Sequence, residues 1–277
     1  MKPFAATAAL ILLTVSLGGC PQSPGGVSAT AAEESGIHAA NSSARSLAQA
    51  LSLLQSVAAE GAARISSDGS LRPVSQGRDV TFGVCPAVTL SGTTGVNFTI
   101  AATFPGDCAP LGISGYSCGG AATGTYNALT QSISADFDAL RCNERSLDGT
   151  AEITFLLAGG NTTLNGTWNL TIADGSEQVA TTGTGILTYD PQNKRATVQS
   201  FVGTCTQGGT ALTLALTSVR INYAANGSLR PSAGTAVLSG AGIRTLTVTF
   251  DENTPSTGVV SVQIGSAPAV NVDLDTL

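Results

Sequence analysis

The sequence has few charged residues and almost no lysine or histidine. Charged residues make up 11% of the 277-residue chain, against about 25% in an ordinary globular protein. Lysine occurs only as Lys2 and Lys194, and the only histidine is His38. The net charge of -6 argues against a nucleic-acid surface, which needs clustered Lys and Arg. A single histidine argues against His-based zinc sites and Ser-His-Asp chemistry.

Several motifs that bind cofactors or metals are also missing. The sequence has no C-x-x-C pair, no phosphate loop ending in Gly-Lys, and no Gly-rich dinucleotide fingerprint behind a strand. It also lacks an EF-hand loop. We therefore expect no cofactor and no metal. The apolar content of 42% is still enough for a folded core.

The first twenty residues have the pattern of an export signal. Lys2 is followed by an uncharged apolar run from Phe4 to Leu17, which is too short to cross a bilayer comfortably. The run ends in Leu17, Gly18, Gly19 and Cys20. Small residues at this point allow the chain to lie extended in a peptidase groove.

This segment resembles the precursors of bacterial lipoproteins, whose lipobox is an apolar residue, two small residues and a cysteine. The resemblance covers residues 1–20 and implies cleavage after Gly19 and lipidation of Cys20. Acyl chains on Cys20 would bind the membrane, at about 0.8 kcal/mol per buried CH2. Position 21 is Pro21 rather than Asp, so the resemblance implies the outer membrane, with the protein facing the periplasm or the cell surface.

A tether and one helix are predicted next. Residues 20–38 mix Pro, Gly, Ser and Ala without periodicity, which predicts a flexible tether. We expect a solvated His38 in this tether or at the start of the next helix. Residues 39–61 contain Leu47, Leu51, Leu54 and Ala58 at helical spacing, and the polar residues fall mostly on the other face. We expect this amphipathic helix, capped near Asn41 to Ser43, to pack on the domain that follows. A coiled-coil partner is the alternative.

Residues 62–277 alternate between apolar and Thr- or Asn-rich positions. One example is Thr245 to Phe250, and another is Val260 to Ile264. Such one-faced strands predict a mainly β, antiparallel meander. Its architecture stays open between a curved open sheet or half-barrel and a sandwich. The predicted turns are Asp68-Gly69, Asp148-Gly149, Asn165-Gly166, Asp174-Gly175 and Asn226-Gly227.

A repeat recurs twice at a spacing of 17 residues. The copies are LDGTAEITF (147–155), LNGTWNLTI (164–172) and TTGTGILTY (181–189). We interpret the period as two strands and two turns of a meander, with a β-solenoid rung as the alternative. In residues 211–223 the alternation changes phase near Thr217 and Ser218, which predicts either a β-bulge or the meeting of two strands.

Five cysteines remain after the lipobox, so at most two disulfides can form. We expect a disulfide between Cys108 and Cys118, because they bracket a Gly-rich stretch with little core-forming content. Cys142 would then pair with Cys205, and Cys85 would be left as a buried, inert thiol.

Neighbouring carboxylates are the only candidates for catalysis. Asp136 and Asp138 share a face, Glu144, Asp148 and Glu152 follow, and Asp251 adjoins Glu252. Paired carboxylates could hydrolyse glycosides, but such neighbours are common on solvated strands and turns. Trp168, the only tryptophan, alternates with Leu170 and Ile172, which places it in the core rather than on a sugar platform.

The sequence therefore predicts a lipid-anchored cell-envelope protein with no catalytic residues. Its β domain would bind or scaffold a partner, such as an envelope protein, a glycan or a lipid. A carrier of lipid or another apolar ligand in a curved sheet is the first alternative. A carbohydrate-active enzyme is the second.

Overall fold

The computed structural model describes residues 28–62, 79–91, 97–113, 115–127, 129–158, 161–175, 177–223, 229–240 and 242–277. These residues form a long helix, α1 (Ala31–Ala62), a one-turn helix, α2 (Thr254–Thr257), and fourteen strands. The strands are β1 (Val80–Phe82), β2 (Ala87–Ser91), β3 (Asn97–Cys108), β4 (Cys118–Asn127), β5 (Ser132–Cys142), β6 (Arg145–Ala158), β7 (Asn161–Asp174), β8 (Glu177–Asp190), β9 (Arg195–Gln207), β10 (Thr210–Asn222), β11 (Ala233–Gly240), β12 (Ile243–Phe250), β13 (Val259–Ile264) and β14 (Val270–Asp273).

All fourteen strands belong to one antiparallel sheet in the order of the sequence. Each strand from β2 to β13 pairs with the strands before and after it. Within the described ranges β1 and β14 do not pair with each other, so the sheet is open. The predicted class, a mainly β antiparallel meander with an N-terminal helix, is confirmed. The architecture is the open curved sheet rather than the sandwich, because the strands of the described residues form a single sheet.

The sheet curves around α1. Seven consecutive residues, Ser46 to Ser52, are each fully buried. They span almost two turns, so every side of the helix is covered at this level. The helix contacts β2 and each strand from β6 to β12. It therefore lies in the concavity of the sheet, and the alternating apolar residues of the strands pack against it. No helix of the described ranges is long and apolar enough to cross a membrane.

The helix begins earlier than the sequence predicted. Thr30 and Glu33 form a reciprocal capping box: Thr30 N donates to Glu33 Oε2 (2.8 Å), and Glu33 N donates to Thr30 Oγ1 (3.3 Å). Residues 31–38 are therefore helical, and the tether prediction is wrong for them. His38 is half-buried and its Nε2 is buried, so it is not fully solvated as predicted. Residues 1–27 of the signal and tether lie outside the described residues.

The 17-residue repeat corresponds to single strands rather than pairs of strands. Its three copies lie on β6, β7 and β8, and each of these strands has 14 residues. Asp148-Gly149 and Asn165-Gly166 therefore lie inside strands, which corrects the predicted turns. Asp174-Gly175 does form a turn. Asp68-Gly69 and Asn226-Gly227 lie outside the described residues.

The glycines of the repeat allow the sheet to curve. A Cβ atom added to Gly166 would lie 2.0 Å from the carbonyl oxygen of Glu152, and one added to Gly183 would lie 2.4 Å from that of Val202. Side chains on the concave side of a sharply bent sheet converge on the neighbouring strand. Only glycine fits at such positions, and glycine kinks of this kind introduce curvature.

The phase change in residues 211–223 is a β-bulge. β10 continues through it as one strand, and its register with β11 shifts between Thr217 and Arg220. Ser218 lies at the shift with a φ of 51°. The bulge returns Val219 and Ile221 to the concave side, where both are buried.

Candidate functional site

The candidate carboxylates named from the sequence lie on exposed strand positions and in turns, and they do not come together in one site. Asp136 and Asp138 lie on β5, and both are exposed, as are Glu144 and Glu152. Asp148 Oδ1 accepts a hydrogen bond from the backbone N of Ala139 (2.7 Å), which gives it a structural role. Asp251 and Glu252 lie in the turn before α2 and are exposed. Within the described ranges no three His, Cys, Asp or Glu residues form a metal-binding group.

The cysteines pair differently from the prediction. The disulfides are Cys85–Cys108 and Cys118–Cys142, and the free thiol is Cys205. In the sheet register Cys118 lies opposite both Cys108 on β3 and Cys142 on β5. Sequence proximity therefore could not identify the partner. Cys205 faces the interior, where burial raises the pKa of its thiol to about 11.

The start of α1 is attached to the sheet by a bidentate ion pair. Arg244 on β12 donates from Nε to Glu33 Oε1 and from Nη2 to Glu33 Oε2, both at 2.8 Å. The Glu33 side chain is only 2% exposed. These bonds from Arg244, with a smaller contribution from Thr30, outweigh burial and lower the pKa of Glu33 to about 2.

Polar residues with buried side-chain atoms follow one face of α1. His38, Asn41, Arg45 and Gln49 are separated by three, four and four residues, so they lie on the same face of the helix. We call these four residues the interior polar stripe. Each has a buried side-chain nitrogen or oxygen without a hydrogen-bond partner: His38 Nε2, Asn41 Oδ1, Arg45 Nε, and both amide atoms of Gln49. Buried polar groups are normally paired, so this set is unusual.

The stripe is followed by a group of buried tyrosines. One turn beyond Gln49, Ser52 Oγ lies 3.4 Å from the hydroxyl of Tyr116. Tyr223 donates to the carbonyl oxygen of Ala48 (2.5 Å) and packs against Tyr116 and Tyr189. Burial raises the pKa of all three hydroxyls, that of Tyr189 to about 12. These phenols stay neutral. Tyr223 attaches α1 to the end of β10, and Tyr116 attaches it to the segment before β4.

Arg45 is the charged member of the stripe. Arg45 is 8% exposed. None of the ion pairs formed by the described residues includes Arg45. The charges that act on Arg45 are those of Arg145, Asp174, Arg230 and Asp275. Burial, followed by repulsion from Arg145, lowers the pKa of Arg45 to about 9, so it remains a cation at neutral pH.

The convex side carries a row of uncharged residues, all but one of them polar, which we call the outer polar ladder. Each strand from β3 to β14 contributes one residue to the ladder. Each ladder residue lies directly opposite the ladder residue of the next strand, and none of these residues is buried. The members of the ladder are Asn97, Asn127, Ser132, Thr154, Asn165, Ile186, Ser200, Thr217, Thr235, Thr249, Ser261 and Asn271. Ile186 is the one apolar residue among them.

The described residues form clefts on the surface, and polar side chains line most of two of them. One, of about 380 Å³, lies beside Arg195, Arg220 and Glu252. The other, of about 520 Å³, lies beside Glu177 and Gln207 at the start of β8 and the end of β9. Neither cleft includes a carboxylate pair predicted from the sequence.

The sequence located Trp168 correctly and missed the stripe. Trp168 is fully buried, as its alternation with Leu170 and Ile172 predicted. Gln49 belongs to the polar face of the predicted helix, and a polar helix face ordinarily meets solvent. The recurring polar residues at positions 38, 41, 45 and 49 were a signal for a stripe. Nothing in the pattern showed that a sheet would cover it.

Comparison of the chain with known proteins gives no relative from which a function could be inferred. No protein-family model, no curated protein and no solved structure matches it.

Proposed function

We propose that this protein is a lipid-anchored component of the bacterial cell envelope. In this proposal Cys20 carries the acyl chains, and the β domain acts as a non-catalytic binding or structural module at the outer membrane. The lipobox residues Leu17, Gly18, Gly19 and Cys20 support the anchor. The fold supports the second part of the proposal, because its concave side is occupied by α1 and its convex side is available to a partner.

The outer polar ladder is the observation that carries the proposal for the domain. Hydroxyl and amide groups such as those of Thr217, Thr235 and Thr249 present hydrogen-bond donors and acceptors without charge. A surface of this kind is suited to a neutral, hydrogen-bonding partner such as an envelope glycan or protein. It also keeps the domain solvated although only 11% of residues are charged.

The two alternative functions receive less support. A carrier for an apolar ligand needs an open apolar concavity, whereas α1 is buried on all sides where it crosses the sheet. A carbohydrate-active enzyme needs carboxylates facing each other across a bound sugar. Asp136 and Asp138 instead lie on the exposed side of one strand, and Trp168 is buried and cannot form a sugar platform.

Fractionation of cells that express the wild type or Cys20→Ser tests the anchor. We expect the wild type in the membrane fraction, labelled by radioactive palmitate, and Cys20→Ser in the soluble fraction without label. Palmitate label on Cys20→Ser equal to that on the wild type would contradict the lipidation of Cys20.

The soluble Cys20→Ser protein also allows a test of the ladder. We expect it to sediment with isolated cell envelopes, and we expect Thr235→Lys with Thr249→Lys to weaken this binding. Gln178→Lys, an exposed change away from the ladder, is the matched control. Equal sedimentation of the ladder variant and the control would show that the ladder is not the binding surface.

A further inference from the structure

The buried guanidinium of Arg45 lacks the partner that such a group normally has. Arginine is almost never buried without a counter-charge, because removing its charge from water is costly. Arg45 Nε has no hydrogen-bond partner, and no carboxylate of the described residues forms an ion pair with Arg45. The adjacent Gln49 amide is also without partners.

The surrounding charges are already paired with one another. Arg145 donates to Asp174 (2.6 Å), and Arg230 donates to Asp275. Asp273 is also close to this second pair, beside Gly258. The carboxylates near Arg45 are therefore bound to other arginines. Among these arginines, only Arg45 has no carboxylate partner within the described residues.

The group also reaches the surface. The side chains of Arg145 and Arg230 are 22% and 23% exposed, and their two aspartates are more exposed. Two partly solvated ion pairs are therefore close enough to Arg45 for their charges to act on it. An anion that passes these ion pairs would meet the Arg45 guanidinium, with the Gln49 amide one helical turn away and Asn41 one turn away on the other side.

We propose that Arg45, Asn41 and Gln49 form a binding site for the carboxylate or phosphate group of a ligand, which enters beside the Arg145–Asp174 and Arg230–Asp275 ion pairs. The guanidinium binds the anionic oxygens, and the two amides bind polar atoms next to them. The site lies inside the sheet and is independent of the lipid anchor and of the outer polar ladder. It can therefore be tested on unanchored protein.

Thermal unfolding of the Cys20→Ser protein in the presence of anions tests the site. A ligand that binds only the native state raises Tm by mass action, by about 3–6 °C at ten times its Kd for a domain of this size. We expect a saturable rise with sodium phosphate or sodium acetate that sodium chloride of equal ionic strength does not give. Dihexanoyl phosphatidic acid distinguishes the source: a lower half-saturating concentration than that of phosphate indicates a lipid headgroup, and an equal one indicates a small oxyanion.

Two variants assign the response to Arg45. Arg45→Met keeps most of the volume of the side chain and removes its charge, so we expect a higher Tm without anion and no anion response. Arg195→Met removes a surface arginine that is paired with Asp190 and should respond like the parent protein. A parent response no larger than that to chloride, or an unchanged response in Arg45→Met, would overturn the proposal.

A crystal soaked in sodium selenate provides a second measurement that does not depend on the folding of Arg45→Met. We expect an anomalous selenium peak within hydrogen-bonding distance of Arg45. Selenate only at the surface arginines would overturn the site.

Discussion

The ion pair between Glu33 and Arg244 should make the stability of the fold depend on acidity in a defined pH range. Glu33 has a pKa of about 2 in the folded protein against an ordinary value of 4.5. Because the folded pKa is the lower one, the stabilisation is complete above about pH 5 and is lost as the pH falls towards 2. A difference of this size corresponds to about 3 kcal/mol at most. The Arg244 side chain is 44% exposed, so we reduce the expected value to about 2 kcal/mol.

Glu33→Gln removes the charge and keeps the shape of the side chain. At pH 7 we expect it to lower the free energy of unfolding by about 2 kcal/mol, because the charge-assisted bonds to Arg244 and the stronger half of the capping box become neutral ones. At pH 2 the wild-type carboxyl is about half protonated, so the difference between the two proteins should shrink to a small fraction of its value at pH 7.

Urea unfolding followed by circular dichroism at pH 7, 4 and 2 measures these differences. Glu252→Gln is the matched control, because Glu252 is exposed and lies 3.9 Å from Arg220. We expect it to change stability little at any of the three pH values. A Glu33→Gln effect of the same size at pH 7 and pH 2 would refute the reasoning, since it would show that the effect does not come from the carboxylate charge.

Two further predictions concern the curvature of the sheet and the cysteines. Gly166→Ala should destabilise the fold by more than about 2 kcal/mol in urea unfolding, because its Cβ would overlap the carbonyl oxygen of Glu152. The Cβ atom of Gly106→Ala would meet no atom within 4 Å, so this change should leave the free energy of unfolding nearly unchanged. Equal effects of the two changes would show that Gly166 is not required by the curvature of the sheet. Cys205 should resist iodoacetamide at pH 8 in native Cys20→Ser protein and react after unfolding without reductant, because burial raises the pKa of its thiol. Peptide mapping that places the alkylated thiol at Cys85 would show that the disulfides are paired differently.

Local periodicity was enough to predict the class of fold but not its boundaries. Alternation such as that of Thr245 to Phe250 depends only on which residues share a strand face, so it predicted an antiparallel sheet with one apolar side. The turn signals were less reliable. Asn165-Gly166 has the composition of a tight turn, but it lies inside β7 because glycine is also needed where a curved sheet brings neighbouring strands too close for a side chain. An Asn-Gly pair therefore fits both a tight turn and a sharply curved strand, and a local pattern cannot distinguish the two.

The buried site was less predictable than the fold. The spacing of His38, Asn41, Arg45 and Gln49 identifies one face of a helix, and a polar helix face is ordinarily solvated. Whether it is covered depends on how far the sheet curves and on how many strands extend around the helix. These properties follow from the combined bends of many strands.

The sequence by itself determined the periodicities: a helix near the N-terminus, one-faced strands after it, and a buried Trp168. The tertiary structure decided which residues meet across long separations. It pairs Cys118 with Cys142 rather than Cys108, binds Glu33 to Arg244, and encloses Arg45 within the sheet. The physical reason is that local patterns record the preferences of neighbouring residues along the chain. Long-range partners, in contrast, are set by the register of fourteen strands and by the curvature that wraps them around one helix.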